Sequence, residues 1–180
     1  MRFPLLLCCA LLACSATAAQ AAPRRITLSP PAGEVEFRAY GLGILPIDGH
    51  FSRFSGALTY DPDNHAVCQV ALTAEVASLA TDDPAVRDTV VGPDFMDAGK
   101  YPSLKYAGTC HDAAINGTLD MHGVARQFEL SLTWDPEQVV AEGRLTRADW
   151  GMTAMAFRGG RTVRIRVTVP LPKATSANGN

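Results

Sequence analysis

Val163-Arg164-Ile165-Arg166-Val167-Thr168-Val169 alternates strictly between apolar and polar side chains, and so does Phe128-Glu129-Leu130-Ser131-Leu132-Thr133-Trp134. A period of two puts every second side chain on the same face of a strand, so each stretch builds a sheet with one dry face and one wet face. Weaker versions of the pattern run through Val35 to Tyr40, Cys68 to Val76, Ser103 to Cys110, Ile115 to Met121 and Val139 to Leu145. A dry face has to be covered, and closing an antiparallel sheet into a barrel covers it while removing exposed edges. The expected fold class is therefore mainly β, an antiparallel β-barrel of about eight strands with a short helical insertion. A barrel of that size either fills its interior with side chains or keeps room for one small apolar ligand. Function turns on that choice.

Working outward from the strands, one segment reads as helical. Asp83 is a good N-cap, Pro84 suits the first helical position, Ala85 to Val91 make two turns and Gly92 ends them. The next segment, Pro93 to Pro102, reads as a tight turn or a second short helix that caps one barrel end. Turn signals stand at Asp61-Pro62-Asp63-Asn64, His111-Asp112, His122-Gly123, Trp134-Asp135-Pro136 and Arg158-Gly159-Gly160. Asn116-Gly117 reads as a two-residue hairpin turn. It also opens an Asn-Gly-Thr sequon, which matters only in a glycosylating host.

The N-terminus is not part of the barrel. Arg2 supplies a small positive region, Phe3 to Ala13 is an apolar run, and Ala19-Gln20-Ala21 has small residues at the spacing signal peptidase reads. Residues 1–21 are expected to be a signal peptide, too short to span a bilayer. A lipoprotein signal, Leu11-Leu12-Ala13-Cys14, is the alternative and would leave a lipidated Cys14 at the mature N-terminus. The soluble reading is favoured, because cleavage before Cys14 leaves a very short signal and the Ala-rich stretch after it fits a cleavage region. Either route exports the chain, so the expected localisation is periplasmic or secreted. Residues 22–172 then form one domain, and the small, polar residues 173–180 a disordered tail. With 16 Lys+Arg against 18 Asp+Glu, the chain carries no electrostatic footprint for nucleic acid.

Export gives the cysteines a meaning. Cys8, Cys9 and Cys14 lie in the leader region, which leaves Cys68 and Cys110, an even number in an oxidising compartment. Both share the phase of the apolar set in their segments, and the two segments flank the helical insertion. Antiparallel pairing there sets the cysteines facing each other, and a structural disulfide is the expected outcome. His111 is next to Cys110 but points to the opposite face of its strand, which argues against an activated thiol.

The segments Val35-Glu36-Phe37 and Asp48-Gly49-His50-Phe51-Ser52-Arg53-Phe54-Ser55-Gly56-Ala57-Leu58-Thr59-Tyr60-Asp61-Pro62 resemble the opening of the YceI-like family, also called polyisoprenoid-binding or lipid-binding periplasmic proteins. The resemblance continues through Asp94-Phe95-Met96-Asp97, Lys100-Tyr101-Pro102-Ser103-Leu104-Lys105-Tyr106, Asn116-Gly117-Thr118-Leu119-Asp120-Met121-His122-Gly123-Val124 and Leu145-Thr146-Arg147-Ala148-Asp149-Trp150-Gly151-Met152. It covers nearly all of residues 22–172, in order. It implies an extended, lipocalin-like antiparallel barrel with a helix between two strands and a long interior channel for an amphipathic isoprenoid or fatty chain. It also implies that Asn116-Gly117 lies within a strand, against the hairpin reading. One departure matters: the family often has a His four residues after the Phe of the first strand, where this chain has Gly41, so head-group preference does not carry over.

The residues themselves offer little catalytic chemistry. His50, His65, His111 and His122 are scattered without helix-spaced or Cys-linked pairs, so no metal site is expected. No Gly-x-Ser-x-Gly elbow exists, and Ser52 and Ser55 sit in a turn with no evident orienting acid. Gly41-Leu42-Gly43 lacks the third glycine and following helix of a dinucleotide loop. Arg147 and Asp149 are expected to make a structural polar pair beside Trp150. The inward phase supplies the candidate ligand-binding wall: Phe37, Leu58, Tyr60, Val70, Leu72, Leu104, Tyr106, Leu119, Met121, Phe128, Leu130, Leu132, Leu145, Trp150, Met152, Ile165 and Val167. Ordinary core packing explains any one of them equally well. The expected function is an exported, non-enzymatic carrier or storage protein for a hydrophobic chain such as a polyprenyl quinone, polyprenyl phosphate or fatty acid. It needs no cofactor, takes a hydrophobic small molecule as its partner and makes at most transient membrane contact. The alternatives are an enzyme acting on a lipid-like substrate in the same cavity, and a filled barrel serving as an envelope interaction module.

Overall fold

Eleven strands form one antiparallel sheet in a computed structural model that describes residues 22–42, 44–154 and 160–172. The expected signal peptide, residues 1–21, and tail, residues 173–180, lie outside the described residues. The strands are β1 (Arg24–Leu28), β2 (Glu34–Gly41), β3 (Leu45–Phe51), β4 (Phe54–Tyr60), β5 (Cys68–Glu75), β6 (Leu79–Thr81), β7 (Ser103–His111), β8 (Ala114–Met121), β9 (Val124–Trp134), β10 (Gln138–Thr146) and β11 (Thr162–Pro170). Their order across the sheet is β1-β4-β5-β7-β8-β9-β10-β11-β2-β3-β6.

The count corrects the expectation of about eight, and the reason is local. Ser52 and Arg53 separate β3 from β4, the 3-10 turn Val76–Ser78 separates β5 from β6, and a turn with a cis Pro30-Pro31 bond separates β1 from β2. Each break is a corner where a long strand changes partners: β4 pairs with β1 and β5, whereas β3 pairs with β2 and β6. Because β3 and β4 are second from opposite ends of the sheet and are joined by only two residues, the sheet curls back on itself. Ser78 fastens two of these corners together. Its buried hydroxyl donates to Glu75 O (2.7 Å) and accepts from Arg53 N (3.1 Å), while Ser52 donates its N–H and Oγ–H to Ser78 O.

Among the described residues the one α-helix, α1 (Pro84–Val91), starts and stops where its sequence says. The Asp83 carboxylate accepts from Ala85 N (2.8 Å), Pro84 occupies the first turn, and Gly92 closes the helix. Arg87 ties α1 to the sheet by donating to the Ala77 and Leu79 carbonyls. The residues after it fold back as a turn, with Met96 N on Val90 O and Ala98 N on Val91 O.

Cys68 and Cys110 are disulfide-bonded, with Cα atoms 4.8 Å apart, and they face each other because β5 and β7 pair with Gln69 opposite Thr109. Asn116 and Gly117 lie inside β8, opposite Thr109 and Gly108, as the family resemblance implies and against the hairpin reading. The actual turn is at Asp112 and Ala113, with Asp112 in the left-handed region (φ 54°). Gly117 is required by close approach: a Cβ there would stand 2.6 Å from the Tyr106 ring.

Candidate functional site: an apolar cavity in one half of the barrel

The alternation that makes the strands sends one residue in two into the interior, and at one end of the barrel those residues do not meet. They enclose a cavity of about 420 Å³ whose wall is almost wholly apolar. That size falls within the usual range of small-molecule sites, roughly 300–1,000 Å³. Phe37, Leu72, Leu104, Tyr106, Leu119, Met121, Phe128, Leu130, Leu145, Met152, Ile165 and Val167, all expected on the inward face, line it.

The cavity's inner boundary is sharp. Along β5 the wall takes Leu72 but not Val70 or Cys68; along β7 it takes Leu104 and Tyr106 but not Cys110. Along β9 it takes Phe128 and Leu130 but not Leu132 or Trp134, and along β11 it reaches Val167 but not Val169. Five candidates therefore lie off this wall. Leu58, Tyr60, Val70 and Leu132 are buried in a filled half of the barrel, where the Tyr60 and Trp134 rings pack 5.2 Å apart beside the disulfide. Trp150 sits behind the wall, edge-on to Phe128 at 6.0 Å, its Nε1–H donating to Leu119 O (3.3 Å).

Of the polar side chains on the wall, Tyr106 and Arg147 are the buried ones. Tyr106 is buried, and its hydroxyl lies 3.2 Å from Ile115 O and 3.0 Å from Phe128 O, so its proton has carbonyl acceptors without water. Burial pushes its pKa up to about 12, with the Glu129 charge adding to the effect. Arg147 is only 6% exposed, and instead of pairing with the exposed Asp149 it turns inward. Its Nη1 donates to Met152 O (2.9 Å) and Ala154 O (2.6 Å), its Nε donates to Gly160 O (2.9 Å), and its guanidinium lies 5.1 Å from the centre of the Phe95 ring. Burial pulls its pKa down, and among the described residues no carboxylate pairs with it. Glu36 also borders the cavity, from the opposite strand phase to Val35 and Phe37.

Sequence reasoning missed several wall residues that carried a signal. Val35 and Phe51 lie in the inward strand phase; Val86 and Val90, four apart on α1, share a helix face and close the cavity with Phe95 and Met96. Arg147 follows Leu145 by two and is buried, although it lies just past the end of β10, in the 3-10 turn Arg147–Trp150. The histidines lie elsewhere: His50, His65 and His111 are exposed, and His122 meets Trp150 O through Nδ1 (3.0 Å). Among the described residues no group of three or more His, Cys, Asp or Glu side chains could hold a metal ion.

Comparison with known proteins places this architecture. Residues 27–171 match the YceI-like domain. The chain belongs to the YceI-like family. A UPF0312 protein of Pseudomonas putida (strain GB-1) is 27% identical over 169 residues, which is 90% of this chain and 84% of that protein. The crystal structure of Burkholderia cenocepacia BcnA is similar in fold, with a TM-score of 0.65 at 18% identity over 78% of this chain and 96% of BcnA. So is a polyisoprenoid binding domain from Saccharophagus degradans implicated in plant cell wall breakdown, with a TM-score of 0.57 at 13% identity over 82% of this chain and 98% of that domain. In this YceI-like chain Gly41 lies on the cavity rim, so the position expected to carry a histidine in relatives presents no side chain there.

Proposed function

We propose that this protein is an exported, non-enzymatic carrier of one long amphipathic chain, an isoprenoid or a fatty chain, whose tail lies in the cavity and whose head group sits by Arg147. The observation that carries the reading is the apolar cavity itself, held open by a sheet whose other half is packed solid. Burying roughly 500 Å² of tail at ~25 cal/mol per Å² gives about 12 kcal/mol before the costs of association. The polyisoprenoid binding domain of similar fold supports the same ligand class.

Arg147 supports the assignment of the head group's end. A buried guanidinium without a carboxylate is costly, and a polar or anionic head group facing it offsets that cost. The non-enzymatic reading draws on Tyr106, whose hydroxyl is neutral near pH 7 and already engaged by two carbonyls. Export is supported by the Cys68–Cys110 disulfide, since such bonds persist in oxidising compartments. Transient contact with a membrane follows from the need to load and unload so insoluble a cargo.

Mass spectrometry of an organic extract of the purified protein tests the carrier reading, with one elongated amphiphile per barrel expected. Protein that arrives empty and takes up no fluorescent fatty chain would overturn it. N-terminal sequencing tests export, and a mature chain starting at Ala22 or Pro23 is expected; a lipid-modified Cys14 would instead make the protein membrane-anchored.

A further inference from the structure

From the tip of the β2–β3 hairpin and the arginines beside it, we infer that this end of the barrel docks on the surface of a bilayer bearing anionic head groups. The tip is apolar where a turn is ordinarily polar. Leu42, Ile44 and Leu45 are 62%, 77% and 55% exposed and together dominate the exposed large hydrophobic side chains among the described residues. Leu42 also has φ at 52°, a left-handed conformation that Gly, Asn or Asp adopts more readily. A leucine at that place is unfavourable both in backbone and in water, and the second disadvantage shrinks when the tip leaves water for a lipid interface.

The second observation is electrostatic and independent of the tip. Strand register sets Arg144 of β10 opposite Arg164 of β11, and Arg164 opposite Arg38 of β2, which makes a row of three arginines across adjacent strands. Like charges directly opposite one another destabilise a sheet. Only Arg38 is compensated, by Asp48 (2.5 and 2.9 Å). Arg144 and Arg164 have no ion-pair partner among the described residues, and neither has Arg161, which precedes β11 beside the hairpin end. The next row along the strands is balanced differently: Arg166 pairs with Glu142 (3.1 Å), and Glu36 and His50 complete it. Along β10, β11 and β2 positive charge is thus concentrated in the row nearer the hairpin, in a chain whose net charge is −2. Guanidinium groups suit phosphate, and an excess of cations next to an apolar tip matches an anionic leaflet.

The position of this surface gives it a use. Tyr40, Gly41 and Ile47, which flank the tip on β2 and β3, line the cavity, and Gly160 N donates to Tyr40 O (2.6 Å) next to the Arg147 contact. A convex tip of three side chains suits insertion among head groups, and it would set the cavity rim against the leaflet so that a tail passes between them without crossing water. The inference deepens the carrier reading and rests on it.

Flotation with phosphatidylcholine vesicles, with and without phosphatidylglycerol, tests it on the full mature protein. Binding to the phosphatidylglycerol vesicles is expected, weakening as salt is raised. Arg164→Ala should weaken it about fivefold, the effect of one basic residue near an anionic surface, and flatten the salt dependence. The double substitution Leu42→Asp and Ile44→Asp should abolish it while circular dichroism and thermal unfolding stay unchanged, because both side chains are exposed. Equal binding to both vesicle types, or binding indifferent to both variants, would overturn the inference. Concentration-dependent dimerisation lost in the double variant would overturn it too, by assigning the tip to a second copy of the chain. Protein that carries an extractable lipid yet ignores vesicles would end the docking inference and leave the carrier; vesicle binding by protein that holds and takes up no lipid would do the reverse.

Discussion

The two halves of this barrel are made by the same strands with the same alternation, yet one is solid and the other hollow. In the solid half, Leu28 of β1 is 1% exposed, the Tyr60 and Trp134 rings meet, and the Cys68–Cys110 bond joins two strands from the inside. In the hollow half, the inward residues of β2, β7, β9 and β11 face α1, an eight-residue helix with no fully buried residue, and the Phe95 segment. The difference shows that strand period decides which face is dry, while the large rings, cross-links and extra segments that cross the interior decide whether the dry space is filled. A molecule of this kind can hold its shape from one end and spare the other for a guest.

Removing the cross-link should produce the largest effect. Cys68 and Cys110 are 42 residues apart, and a loop of that size is worth about 4 kcal/mol in the unfolded chain. The Cys68→Ala, Cys110→Ala double variant should lose about that much in chemical denaturation while the protein that remains folded keeps its lipid. Lipid lost before stability would mean that the hollow half depends on the disulfide as directly as the solid half does.

Within the hollow half, Arg147 should set head-group preference. A hydrogen bond to a charged group is worth about 1.5–3 kcal/mol, so the wild-type protein should hold a prenyl phosphate at least about tenfold more tightly than the matching prenol. Arg147→Met should erase the preference and Arg147→Lys retain part of it, as read by competition against a fluorescent fatty chain. An unchanged ratio in Arg147→Met would remove this side chain from ligand recognition.

A paired substitution tests the boundary between the halves. Leu72 lies on the cavity wall and Leu132 in the packed half, although both are buried leucines in the inward phase. Leu132→Trp should overpack its site and cost about 1–3 kcal/mol. Leu72→Trp has a void to enter, so its stability should fall less while its extractable lipid disappears. Equal costs at the two positions would show that the packing contrast is smaller than the geometry indicates.

The strands of β9 and β11, the caps of α1 and the facing of Cys68 and Cys110 were legible because each rests on a local rule: period two, an N-cap followed by proline, and shared phase. The strand count was not, because the corners at Ser52-Arg53 and Val76–Ser78 are stabilised by hydrogen bonds between distant residues, Ser78 above all. The wall was legible as a face but not as a length. Leu132 and Leu130 have the same chemistry and phase, yet Leu130 lines the cavity and Leu132 does not. Arg147 was read as half of a structural polar pair with Asp149, whereas its three carbonyl acceptors come from a turn that no periodicity describes.

The smallest effect belongs to Tyr106, which stands at the boundary with its ring on the cavity wall and its hydroxyl against Ile115 O and Phe128 O. Tyr106→Phe leaves those carbonyls without the hydroxyl donor and should cost about 1 kcal/mol near pH 7. The pH dependence gives the prediction its sign. In the folded protein the phenol stays neutral up to about pH 12, whereas in the unfolded chain it ionises near its ordinary value of 10. A pKa raised by folding stabilises the native state fully below pH 10, and that stability is lost as pH rises through 10 to 12. Wild type should therefore be the more stable protein at neutral pH, and its advantage over Tyr106→Phe should shrink across that window and then reverse. Denaturation of both proteins at matched pH values measures the difference with the other tyrosines common to both. A gap that stays constant from neutral pH to pH 12 would mean that the Tyr106 hydroxyl reaches water in the folded state, and the wall of the cavity would then be wet at the place where the solid half begins.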